Sequence, residues 1–160
     1  MESYRLDATE EKSVEAFFRR VGAHDHVCVL VPTAPNAEVR KKMGLFRDTP
    51  QDAFESVMTH KFWSQVYCAR HAAAHIRSGG SIVFITGQAH RKSLPNYATV
   101  AAADAAVEAL AHGLARELSP VRVNVVAPGL IETPLIRNLP ADQKAAFQAK
   151  VAPQPEVPGR

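Results

Sequence analysis

The stretch from Asn96 to Leu135, NYATVAAADAAVEALAHGLARELSPVRVNVVAPGLIETPL, constrains this chain more than any other. Val100, Ala103, Val107, Leu110 and Leu114 recur at spacings of three and four, which places one apolar stripe on a helix. The alanine filling between them favours the same backbone. Ser119-Pro120 stops the helix, because proline lacks the amide proton and disfavours a helical residue before it. Val121, Val123 and Val125 then alternate, and with Val126 and Ala127 they predict a short buried strand that ends at Pro128-Gly129. A long periodic helix feeding such a strand points to a parallel α/β sheet. In open sheets of this kind ligands bind at the carboxyl edge.

The upstream chain repeats the pattern. Residues 25–31, DHVCVLV, read as a buried strand, and Ser81 to Ile85 as another after a turn at Gly79-Gly80. Val14, Phe17, Phe18 and Val21 mark a short helix closed by Gly22, with Asp7 and Glu10 spaced as a capping box, or Thr9 as the cap instead. Residues 33–49 read as a polar loop whose basic cluster, Arg40, Lys41 and Lys42, is a solvated face. A long helix is predicted from Thr49, as N-cap, to Ile76, with Pro50 first and an apolar face of Phe54, Val57, Met58, Phe62, Val66, Ala69 and Ala73. Lys61 on that helix is read as snorkelling to the surface. His71 and His75 have zinc-ligand spacing without a third ligand nearby, and read as exposed. A short helix is expected around 142–151.

Composition excludes several classes. The 160 residues are 46% hydrophobic and 22% charged, ordinary for one globular domain. A net charge of +3 with scattered basic residues argues against a nucleic-acid partner. No apolar run approaches a membrane span. Two cysteines, Cys28 and Cys68, make no disulfide framework, so a cytoplasmic location is expected.

The segment AAVEALAHGLARELSPVRVNVVAPGLIETPL resembles the late part of a short-chain dehydrogenase/reductase, and looser similarity extends over most of the chain. In that family a long helix carries a catalytic Tyr and Lys, a strand ending in Val-Asn-x-Val-x-Pro-Gly follows, and a Thr then lies near the cofactor. The resemblance implies NAD or NADP as cofactor, with Asp7, Pro128, Gly129, Ile131 and Thr133 at the matching contact positions. The catalytic set does not carry over. The register that needs no gap through Gly129 puts Val100 at the tyrosine and Asp104 at the lysine; the other register puts Tyr97 and Ala101 there. Gly87 falls at the catalytic serine, with Thr86 one residue early, and Lys61 falls at an asparagine of the proton relay. Val29-Leu30-Val31-Pro32 replaces Asn-Asn-Ala-Gly, and the eight glycines build no G-x-G-x-x-G loop. The family's tyrosine, with an unperturbed pKa of about 10, relies on the neighbouring ammonium to favour its ionised form, whereas Asp104 would oppose ionisation. No catalytic residue is assigned.

The expected fold is therefore α/β: a partial Rossmann-like parallel sheet flanked by helices, lacking the family's first βαβ unit and last strand. Residues 1–152 are expected as a single truncated domain, with 153–160 as a proline-rich tail. The stretch near Leu6 must pair with the strand at Val27, pair with another chain, or stay unpaired. By resemblance the protein is an NAD(P)-dependent oxidoreductase, expected without ordinary redox activity as this chain stands. The alternatives are a non-redox enzyme using Lys61, Tyr97 or Asp104, or a binding or assembly partner of a full-length member. The partners expected are a small-molecule substrate and a second copy through helices 50–76 and 97–117, with neither nucleic acid nor membrane.

Overall fold

The computed structural model describes residues 2–31, 37–92, 96–129 and 131. Residues 1–127 form one compact unit and 128–160 a second. In the first unit the order is α1 (Glu11–Val21), β1 (His24–Val29), α2 (Ala37–Lys42), a 3₁₀ turn (Phe46–Asp48), and α3 (Gln51–Val57). A π-helical stretch (Met58–Trp63), α4 (Ser64–Ala73), β2 (Ile76–Ile85), α5 (Ala89–Lys92), α6 (Ala98–Glu117) and β3 (Arg122–Val126) follow. The three strands pair in parallel in the order β1-β2-β3, the partial parallel α/β sheet that the sequence implies. Parallel strands need long crossovers, and the helical segments between them supply these.

The register sorts the strand residues into two faces. Val27, Ile82 and Val123 lie side by side, as do Val29, Phe84 and Val125. This face joins Val14 and Phe18 of α1, Cys68, Ala69 and Ala72 of α4, and Val107 and Ala111 of α6 in one apolar cluster. Ile82 and Phe84 are fully buried within it. The opposite face carries Cys28, Val83 and Asn124 in a row, of which Cys28 and Asn124 are exposed. The strands are thus half-buried rather than buried on both faces, and β3 alternates between exposed and half-buried throughout.

Helix ends follow local chemistry. Gly22 closes α1 with φ 66°, a left-handed conformation glycine adopts without penalty, and its amide donates to the Phe18 carbonyl. The capping box does not form: Glu10 occupies the N-cap without a side-chain bond, while Asp7 Oδ1 accepts from the Thr9 amide at 3.0 Å and its hydroxyl at 2.7 Å. Thr49 does not cap the next helix either. Pro50 takes the N-cap, and Thr49 Oγ1 instead donates to the Leu45 carbonyl at 3.1 Å. The polar loop contains a real helix, α2, with Lys41 paired to Glu38 and Lys42 to Asp52. Ser119-Pro120, a cis peptide, ends α6 one residue after its C-cap, Leu118. The expected helix at 142–151 and the domain boundary at 152 lie outside the described residues. No described helix is long and apolar enough to cross a membrane.

The largest departure is at the start of β2. The predicted helix stops at Ala73, and the strand begins at Ile76 rather than after the glycines. Between the pairs His24–Ile76 and His26–Ser81, β1 advances two residues while β2 advances five, so the glycines sit in a bulge. Gly79 has φ 80°. A Cβ on Gly80 would lie 2.3 Å from the Asp25 carbonyl oxygen, so only glycine permits this approach. Gly80→Ala is accordingly expected to lower stability by about 1–3 kcal/mol, read as a drop in the urea midpoint with an unchanged slope; an unchanged midpoint would show that the bulge relaxes freely.

Candidate functional site

At the carboxyl end of β2, helices from both crossovers converge on a buried polar cluster. The π-helical stretch adds one residue to a helical turn and turns Lys61 inward. Lys61 is 3% exposed, correcting the surface reading. Its Nζ donates to the Ile85 carbonyl at 2.9 Å and lies 3.9 Å from Asp104 Oδ1. Asp104, one turn beyond Val100 on α6, is 1% exposed. Neither of its carboxylate oxygens meets a well-formed hydrogen bond among the described residues, although the Gly87 amide lies close enough to favour the charged form. Gln65 Nε2 donates to the Lys61 carbonyl at 2.9 Å, satisfying an acceptor at the widened turn. Thr86 is buried, its hydroxyl without a partner among the described residues, while its amide donates to the Val126 carbonyl at 3.0 Å.

The electrostatics follow from this burial. Desolvation pulls the Lys61 amine below the ordinary lysine range, against the pull of Asp104. Desolvation pushes the Asp104 carboxyl up, opposed by Lys61 and by His90. Beyond them His90 and Arg91 of α5 both reach Glu108 of α6, Arg91 Nη2 at 2.8 and 3.0 Å. Tyr97 stands at the N-cap of α6, where burial raises its phenol. Val100 is a buried aliphatic residue. The geometry therefore holds a lysine and an aspartate 3.9 Å apart and sealed from solvent.

Asp7 is exposed on the first unit, its carboxylate engaged by Thr9, whose hydrogen bonds hold it below the usual carboxylate range. Pro128, Gly129 and Ile131 belong to the second unit, where Ile131 is 58% exposed. Thr133 lies outside the described residues. One residue of the first unit fits a dinucleotide poorly. Leu30, following β1, is a large side chain standing 76% exposed where the family has small ones. His71 contacts Glu11 at 3.2 Å, and no cluster of metal-binding side chains occurs among the described residues.

Removing the lysine strands a buried carboxylate. Lys61→Met is expected to cost about 3–5 kcal/mol near neutral pH, whereas Lys61→Met with Asp104→Leu is expected to recover most or all of it. The sign with pH is fixed. A carboxyl whose folded pKa lies above its unfolded value binds more protons in the native state, so stability falls as pH rises through that window. The single variant's deficit should shrink on acidification and the double variant's should not. Denaturant melts across pH check this, and a pH-independent deficit refutes it.

The sequence of this chain matches, over residues 1–157, the family model described as enoyl-(acyl carrier protein) reductase. It is 32% identical over 151 residues to cis-4-hydroxycyclohexanecarboxylate dehydrogenase of Sinomonas cyclohexanicum, covering 91% of this chain and 59% of that protein. It is 31% identical over 134 residues to the NADH-dependent enoyl-[acyl-carrier-protein] reductase of Rickettsia conorii, covering 80% of this chain and 50% of that protein. Among solved structures, a small-chain dehydrogenase in complex with NADPH is 36% identical with a TM-score of 0.79, covering 90% of this chain and 64% of that one. The chain spans about half to three-fifths of the length of these curated relatives. With the family model spanning nearly the whole chain and the parallel sheet in agreement, the chain belongs to the short-chain dehydrogenase/reductase family.

Proposed function

We propose that this chain is a cytoplasmic binding or assembly member of its family that lacks the ordinary redox step. The observation that carries this reading is the buried Lys61–Asp104 pair. In the family register that needs no gap, Asp104 stands where the lysine that assists the tyrosine belongs, and Val100 where the tyrosine belongs. Hydride transfer to a carbonyl needs a proton donor beside the reacting atom, and neither Val100 nor a sealed ion pair supplies one. The bulky Leu30 argues in addition against tight binding of NAD or NADP by this chain. Titrating NADH and NADPH against the purified protein is expected to show no saturable change in nucleotide fluorescence. A Kd near about 1 μM, equivalent to about −8 kcal/mol, would overturn the proposal, as would NADPH-dependent reduction of any carbonyl or enoyl thioester lost in an Asp104→Ala variant.

Assembly is proposed through the helical stretch at 51–73 and α6 at 98–117, within the ranges 50–76 and 97–117 expected from the sequence. Trp63 is 43% exposed and stacks on Tyr67 with centroids 5.9 Å apart, a large apolar surface for a monomer to show. On α6, Ala102 and Ala109 are exposed and Ala106 half-buried, so a second helix can approach closely there. A twofold contact on this face puts like charges together when Ala106 becomes Arg. Light scattering is expected to give twice the 17.4 kDa chain mass for the parent and 17.4 kDa for Ala106→Arg. A monomeric parent ends the idea.

A further inference from the structure

The widened turn at Met58–Trp63 carries Lys61 into the sealed polar cluster while both of its flanks are fixed in the core. Ala53 and Val57 of α3 are buried before it, and Cys68, Ala69 and Ala72 of α4 after it. Two side-chain bonds hold the turn at Lys61: Lys61 Nζ on the Ile85 carbonyl at 2.9 Å, and Gln65 Nε2 on the Lys61 carbonyl at 2.9 Å. Its other side reaches solvent at Trp63, which is 43% exposed and is the chain's sole tryptophan. A buried amine thus sits on a short, irregular segment between two anchored helices.

Charge decides what the cluster tolerates. Lys61 and Asp104 together are neutral, whether both are ionised or neither is. One further proton leaves a carboxylic acid beside an ammonium, a net positive charge bonded to the Ile85 carbonyl. An unpaired buried charge is costly, and of the two groups the lysine has the flexible stem that carries its charge to water. The surrounding elements offer that charge no free carboxylate among the described residues. Glu108 of α6 is engaged by His90 and Arg91 of α5. The end of β2 brings the Ile85 carbonyl and the Thr86 hydroxyl, α3 buries Ala53 and Val57, and Tyr97 stands at the N-cap of α6. His60, in the stretch itself, is turned to the Ser56 carbonyl at 2.8 Å. We propose that Lys61 is a proton-operated switch: uptake of one proton by the pair releases the ammonium from Asp104 to solvent, and Met58–Trp63 rearranges between its fixed flanks. Burial raises the Asp104 carboxyl, so this uptake falls above the ordinary carboxylate range. The released state holds one proton more, so it gains as pH falls and is lost as pH rises. The switch operates whether or not the chain retains redox chemistry.

Trp63 lies in the moving segment and reports on it directly. On acidification of the full chain its fluorescence is expected to pass through one transition while far-ultraviolet circular dichroism stays constant. The transition should vanish in Lys61→Met and in Asp104→Asn and persist in His90→Gln. No transition in the parent overturns the switch, as does one that survives Lys61→Met. Loss of the transition in His90→Gln places the proton on the histidine and overturns it too. A second readout needs no change of pH. Acetylation of Lys61, followed by peptide mass spectrometry at one fixed pH, is compared between the parent and Asp104→Asn, which keeps the shape of the side chain and removes its charge. Labelling of Lys61 is expected to rise about tenfold or more, as a minor state becomes the main one, while the buried Cys68 thiol stays unreactive. Unchanged labelling of Lys61 overturns the switch. Labelling of Lys61 and Cys68 in step also overturns it, since the whole core then opens and not the one segment.

Discussion

Pairing of β2 on both edges is the constraint on which the rest of the first unit depends. Ile82 lies between Val27 and Val123, and Phe84 between Val29 and Val125, so one strand aligns both apolar rows. Slipping β2 by one residue would turn Ile82 and Phe84 to the far side and bring Val83 and Ile85 inward, exchanging every contact with α1, α4 and α6. Fully burying such side chains contributes about 1.5–3 kcal/mol each. The bulge at Gly79-Gly80 sets this alignment, because it absorbs the extra residues before the regular pairing begins at His26–Ser81. The same alignment delivers Ile85, Thr86 and Gly87 to the carboxyl edge, where the polar cluster is built.

That cluster is better understood as a device for position than as a source of stability. Two charges 3.9 Å apart attract by about 4 kcal/mol at an effective dielectric constant near 20. Desolvating each costs several kcal/mol. One hydrogen bond to the Ile85 carbonyl offsets part of this on the lysine, while among the described residues the aspartate has only the weak pull of the Gly87 amide. The pair therefore contributes little net stability, while removal of either partner exposes the full penalty of the other. What it does is tie the π-helical stretch, the end of β2 and α6 together at one point. A hydrophobic replacement would hold these elements together without selecting their relative register.

The class of fold was legible because it depends on period. The stripe on α6, the valine alternation in β3 and the two upstream apolar runs each report local geometry that tertiary contacts reinforce. The boundaries that failed depend on contacts distant in sequence. Ile76 reads as the end of a helix, yet His24 pairs with it in the sheet. Gly79-Gly80 reads as a turn, yet the glycines serve a close approach to Asp25 across the strand. The buried face of the 50–76 helix was misjudged for a different reason. A π-helical stretch rotates every residue after it, so a face computed at 3.6 residues per turn drifts: Ser64, Gln65 and Cys68 are buried while Val66 is only half-buried. Lys61 is hidden by the same effect, since a lone lysine on an apolar face usually snorkels out, and no local pattern announces that Asp104 waits behind it.

Two departures from the family pattern that look independent in the sequence are coupled in space. In the register that needs no gap, Gly87 falls at the serine position and Asp104 at the lysine position, seventeen positions apart in numbering. A Cβ placed on Gly87 would lie 2.8 Å from Asp104 Oδ2, closer than a real Cβ contact permits. The Asp104 carboxylate thus fills space that any side chain at position 87 would enter. A serine there must displace that carboxylate, and the carboxylate is the group the Lys61 ammonium faces. Restoring the serine alone therefore breaks the ion pair, and restoring a lysine at 104 alone sets two ammonium groups together beside the Ile85 carbonyl. Serine at 87, lysine at 104 and a neutral residue at 61 form one compatible set; glycine, aspartate and lysine form the other. The chain carries the second set complete, so these three residues form one spatially coupled arrangement.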